Sequence, residues 1–161
     1  MPHSDYIKCS LDYSVEEGLL VRIPIIVKVL EQVTAQNKWD YSYAEGKWTV
    51  KQVVQHLIDC EKIFSYRALH IARQDTSELF GFEEDAYAIT SMQEEKNGED
   101  MIHEYTALLL CIYYQFKGYT KDILQRESKV ANYEISIENI GRVMYGHSLH
   151  HLDVLLERYL D

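Results

Sequence analysis

Three of the chain's seven histidines fall within five positions, in Gly146-His147-Ser148-Leu149-His150-His151. At 3.6 residues per turn His147 and His151 stand one turn apart on one helical face, roughly 5–6 Å between Cβ atoms, so both imidazoles reach one point. That is half of a metal site. Ile140, Met144, His147, His151 and Leu155 advance by four, three, four and four residues, which keeps the histidine pair on an apolar, core-facing stripe. Buried imidazole nitrogens left unpaired cost roughly 1–3 kcal/mol each. A metal ion would satisfy one nitrogen on each ring at once.

A third ligand is available upstream. His56 shares a stripe with Val53, Cys60 and Ile63, and so points inward. His56, His147 and His151 then offer three nitrogens and leave a fourth position for water or substrate, the arrangement of catalytic rather than structural zinc sites. The competing reading of an inward histidine is a hydrogen-bonded core residue. Cys60, one turn after His56, reads as a small buried apolar residue, with a fourth ligand or a nucleophile as alternatives. His150 is one position off the stripe and reads as a supporting or surface residue. His3, His70 and His103 have no partner at ligand spacing. Glu83, Glu84 and Asp85 read as a solvated acidic loop, with a lid over the site as the alternative.

These side chains need long helices to carry them. Ser14-Val15-Glu16-Glu17 fits a capping box and opens a helix running to about Gln36, with Leu19, Leu20, Ile23, Ile26, Val27, Leu30 and Val33 as its apolar stripe. Pro24 predicts a kink or a broken turn within it. Thr49 with Gln52 forms a second capping box, stapled by Trp48 on Val53, and that helix continues to about Arg73. Residues 74–100 carry little regular signal and read as a crossover, with a short helix expected near Thr90 to Lys96. A third long helix is expected from about Asp100 to Ser128, with a weak point at Gly118. The fourth begins at Ser136 as N-cap and runs through His147 and His151 to Tyr159. The architecture expected is all-α: a four-helix bundle over residues 1–161 with one long crossover between the second and third long helices, a fold that builds metal sites from facing side chains.

Composition agrees. With 161 residues, 47% hydrophobic, two prolines and seven glycines, the chain has the make-up of one helical globular domain. A net charge of −10 argues against general nucleic-acid binding, which depends on attraction to phosphate. Cys9, Cys60 and Cys111 match no disulfide framework and read as reduced thiols. The N-terminus lacks a signal-peptide pattern and no apolar run is long enough to span a bilayer, so a cytoplasmic location without membrane contact is expected.

Three separated motifs occur together: Trp48-Thr49-Val50-Lys51-Gln52-Val53-Val54-Gln55-His56-Leu57-Ile58-Asp59, then Gly81-Phe82-Glu83-Glu84-Asp85-Ala86-Tyr87, then Gly146-His147-Ser148-Leu149-His150-His151-Leu152. In that order they resemble the DinB, or YfiT-like, superfamily of metal-dependent enzymes, which is distinct from the DNA polymerase sharing the first name. The resemblance implies a four-helix bundle, often a homodimer, holding zinc or nickel on three histidines that fall on His56, His147 and His151. Some members join low-molecular-weight thiols such as bacillithiol to electrophiles, and others are mycothiol-dependent isomerases. The leading expectation is therefore a metal-dependent thiol S-transferase acting on a small molecule. A metal-dependent hydrolase and a non-catalytic, stress-related metal-binding or dimerisation module are the alternatives, and no catalytic acid or base is assigned.

Overall fold

The computed structural model describes residues 3–8, 12–91 and 95–160. Among them α1 (His3–Lys8) precedes the first long helix, α2 (Val15–Ala35). Ser14 caps α2 reciprocally: its hydroxyl accepts from the Glu17 backbone N–H and its own N–H donates to the Glu17 carboxylate. The helix passes through Pro24 without a break. Pro24 and Leu20 are both exposed, so the backbone acceptor that proline leaves unpaired lies on the solvated face.

The second long helix, α3 (Val50–Ala72), carries the expected Thr49–Gln52 capping box. The crossover holds α4 (Glu84–Thr90), several residues before the short helix expected over 90–96; residues 92–94 lie outside the described residues. Asn97 then caps α5 (Gly98–Lys117).

Here the structure corrects the expectation of one helix to Ser128. α5 stops at Gly118, Thr120 caps the single turn α6 (Lys121–Leu124), and an antiparallel hairpin of β1 (Glu127–Val130) and β2 (Tyr133–Ser136) follows. Its period is two, not 3.6: Val130 and Ile135 turn inward while Lys129 and Glu134 face solvent. Ala131, in the tight turn, adopts φ 50° and donates its N–H to the Leu79 carbonyl, tying the hairpin to the crossover. Ser136 caps α7 (Ile137–Leu155), which ends in a π-helical turn, Leu156–Leu160.

The four long helices form a bundle in which α2 and α3 are each flanked by α5 and α7, so the consecutive helices α2 and α3 face each other across the diagonal. Two apolar clusters fill it. One gathers Cys60, Phe64, Ile71, Ile140, Val143 and Met144 with the hairpin; the other gathers Val53, Leu57, Met101, Leu109, Leu152 and Leu155. Along α7 the division falls between Met144 and Leu152, the stretch that holds His147, Ser148 and His151. No helix among the described residues is long and apolar enough to cross a membrane.

Candidate metal centre

α3 and α7 pack side by side, and their inward faces bring His56, His147 and His151 together. One potential ligand atom from each lies within 4.8 Å of the others. His56 Nε2 and His147 Nε2 are 3.2 Å apart, and the ring centroids of His147 and His151 are 4.6 Å apart. Metal–nitrogen bonds of about 2.0–2.1 Å in a tetrahedral site separate neighbouring nitrogens by about 3.3–3.4 Å. The observed pair sits close to that edge length. His147 Nδ1, the ring nitrogen that does not face His56, is buried without a hydrogen-bond partner.

The electrostatics keep the rings neutral, the form that offers a lone pair. Burial is the largest cause for all three. His147 is held well below the usual imidazole range by burial, then by His151, His56, His150 and Arg22. His151 is pushed down to about 3 by burial and the neighbouring His56 and His150. For His56 burial outweighs the opposing negative charges of Glu84, Asp59 and Asp85. The donor set, its spacing and its protonation state therefore suit a borderline transition ion.

The shell around the rings is largely aromatic. Tyr6 meets His147 edge-on at 5.5 Å, Phe64 does so at 6.1 Å, and Trp48 lies 5.2 Å from His56. Tyr6 arrives on α1, which lies against α7 at Gly146. A Cβ on Gly146 would fall 2.3 Å from the Tyr6 carbonyl oxygen, so only glycine permits this approach.

His151 lines two pockets. One, about 220 Å³, is lined by Tyr6, Phe64, Glu84, His147, His150 and His151. The other, about 310 Å³, is walled by Tyr43, Trp48 and Tyr159, with Lys47 and Asp85 at its edge. Glu84 and Asp85 thus border the site from α4 rather than forming a solvated loop clear of it. They are both exposed, and residue type alone does not distinguish a carboxylate over a pocket from one in open water.

His150 stays out of the three-histidine cluster and forms pocket wall, 5.3 Å from His151. Cys60 Sγ lies 3.7 Å from His56, but burial, with Glu84 and Glu61 nearby, pushes its thiol well up, so it is a protonated thiol in the apolar cluster. His70 bonds Ser77 at 2.9 Å, remote from the triad, and His103 is exposed. The side chain of His3, and Cys9, lie outside the described residues; Cys60 and Cys111 are free. Asp59 accepts from Gln55, and Asp153 is exposed.

Sequence reasoning missed a buried polar group beside the triad. Arg22 makes paired contacts with Glu61 at 2.5 and 2.9 Å and donates to the Met144 carbonyl at 2.8 Å and Ser148 Oγ at 2.9 Å. A signal was present: Arg22 interrupts the stripe of Leu19, Ile23 and Ile26, and Glu61 the stripe of Leu57, Phe64 and Ala68. Two opposite charges on core-facing stripes need each other.

The DinB superfamily model matches residues 25–155, and the chain belongs to that superfamily. A solved structure of YfiT from Bacillus subtilis, described as "a probable metal-dependent hydrolase with an unusual four-helix bundle topology", aligns with a TM-score of 0.72 at 21% identity, covering 96% of this chain and 84% of that one. That likeness establishes the bundle fold. No protein of curated function matches the chain.

Proposed function

We propose that the chain is a metal-dependent enzyme that holds a divalent transition ion, zinc or nickel, on His56, His147 and His151 and transfers a low-molecular-weight thiol to an electrophilic small molecule. The observation that carries this reading is the convergence of three imidazoles, two of which, His147 and His151, line a pocket, with His151 lining a second one as well. Membership of the DinB superfamily supports it, and two pockets that both include His151 in their walls suit a reaction of two substrates.

When bound, the ion would supply a Lewis-acidic open position that favours loss of a proton from a thiol or a water near neutral pH. The chain's own residues do the rest. The imidazoles hold the ion, and Tyr6, Phe64 and Trp48 keep bulk water from it. The Glu84 carboxylate, bordering the smaller pocket, takes the thiol proton. The sulfur then forms its bond to the electrophilic carbon, and the leaving group departs with its bonding pair. Tyr43, Trp48 and Tyr159 wall the larger pocket against the second substrate, with Lys47 available to an anionic group.

A hydrolytic reading draws on Glu84 as well. A carboxylate beside the triad suits proton transfer from an attacking water, and YfiT is described as a probable metal-dependent hydrolase.

Elemental analysis of tag-free protein, followed by assays with a bimane electrophile and a panel of bacterial thiols, separates these readings. Metal-dependent, thiol-dependent conjugation that is lost in His147→Ala is the expected result. Ester or amide cleavage without added thiol moves the assignment to hydrolysis. Strong thermal stabilisation by metal with neither activity leaves a non-catalytic metal-binding module. Protein that neither contains nor takes up a transition metal overturns all three. The homodimer implied by the family resemblance belongs to the same proposal, and sedimentation equilibrium reads it.

A further inference from the structure

The Arg22 network has a position in the bundle that its chemistry alone does not explain. Arg22 comes from α2, Glu61 from α3, Tyr105 from α5 and Ser148 from α7, and all four side chains are at most 1% exposed. The guanidinium and the carboxylate meet across the diagonal, between helices that do not pack as neighbours. Ser148 donates to the Met144 carbonyl or to Glu61 and lies 3.4 Å from the Tyr105 hydroxyl. One polar cluster thus ties every long helix at one level.

That level is the histidine site's. Ser148 directly follows His147, and the Met144 carbonyl is one turn before it on the same face. Glu61 directly follows Cys60, whose sulfur touches His56. The network therefore grips α3 and α7 beside the two residues whose Nε2 atoms stand 3.2 Å apart.

A buried ion pair is a poor way to gain stability, because desolvation consumes much of what the attraction returns. What it supplies is direction. Apolar contacts are non-directional, and a helix can slide along an apolar neighbour in steps of a turn, about 5.4 Å. Such a slip exceeds the His56–His147 nitrogen separation and would dismantle the cluster. A rigid guanidinium fork that engages a carboxylate on α3 and a carbonyl and hydroxyl on α7 fits only one height and one rotation of the two helices.

We propose that the Arg22–Glu61 pair, with Ser148, is the positioning element of the histidine cluster, setting the register of α7 against α3 so that His56 and His147 converge on one point. Arg22 touches neither a substrate pocket nor an imidazole ligand atom; it acts through the helices. The metal-binding consequence rests on the three-histidine reading above, whereas the convergence of the rings does not.

The test replaces the pair by apolar side chains, Arg22→Met with Glu61→Met, and separately removes only the hydroxyl in Ser148→Ala. Two measurements are made on the full chain: competition for zinc against a chromogenic chelator, with the ligand-field spectrum of the cobalt-loaded protein, and the nuclear Overhauser contact between the His56 and His147 rings in metal-free protein. The expected double variant remains folded, loses the ring contact, binds zinc at least tenfold more weakly, on the scale found when partners of metal ligands are removed, and shows an altered cobalt spectrum. Ser148→Ala is expected to change the same quantities in the same direction by a smaller factor. A double variant that keeps the ring contact with wild-type zinc affinity overturns the proposal. If the double variant does not fold, wild-type ring contact in Ser148→Ala overturns it instead. Wild-type protein that takes up no metal sinks the metal reading alone, because the ring contact still decides the positioning role.

Discussion

His147 carries the largest cost of the site: buried, desolvated, beside two other imidazoles and with one nitrogen unpartnered. His147→Ala should abolish stoichiometric metal uptake and the thermal gain that metal confers, as measured by elemental analysis and calorimetry with and without zinc. Acid should reveal the same ring set in metal-free protein. The folded chain holds these imidazoles below their ordinary value of 6.5, His151 to about 3, while the unfolded chain titrates normally. Between those values the unfolded state binds more protons, so stability falls as pH drops from 6.5 towards 3 and is fully present above 6.5. Urea midpoints of metal-stripped protein at a series of pH values measure this. A midpoint unchanged between pH 7.5 and 5 would contradict a buried neutral triad.

The helices that hold these rings are fixed by local devices whose removal has separable effects. Thr49 caps α3 through the Gln52 N–H at 3.2 Å, so Thr49→Ala should cost about 1 kcal/mol in denaturant unfolding, with the pockets retained. Gly146 is different because its constraint is tertiary. A Cβ there meets the α1 backbone itself, which cannot yield as a flexible side chain can. Gly146→Ala should cost roughly 1–3 kcal/mol as an overpacked contact and release α1, read as faster amide exchange over residues 3–8 and a Tyr6 ring that no longer contacts His147.

Across the whole molecule, metal and fold are coupled if the triad binds as proposed. An ion at one hundred times its dissociation constant stabilises the native state by about 2.7 kcal/mol, which for a chain of this length raises Tm by roughly 5–11 °C. Scanning calorimetry with zinc at increasing free concentration measures the shift, and a Tm independent of zinc would contradict the coupling. The two pockets lined by His151 belong to this scale too, because their walls come from α1, α3, α4, α7 and the loop before α3.

Much of this was legible in the sequence. The capping boxes at Ser14 and Thr49, the core stripes of α2, α3 and α7, apart from Leu20, which α2 turns to solvent, and the inward direction of His56, His147 and His151 follow from spacing and from hydrogen bonds made within a few residues. The hairpin at 127–136 was hidden because Ile123 and Leu124 prolong a helical pattern and the strands are only four residues each. Tertiary structure alone decided which helices are neighbours. That placed α3 beside α7, so that the His56 and His147 nitrogens meet, and α2 across the diagonal, so that Arg22 finds Glu61. It also laid Glu84 and Asp85 over pockets that no local pattern marks. Periodicity tells each helix which face to bury; it does not say which buried face it will meet, because that depends on how the whole set of apolar stripes and buried charges can be satisfied at once.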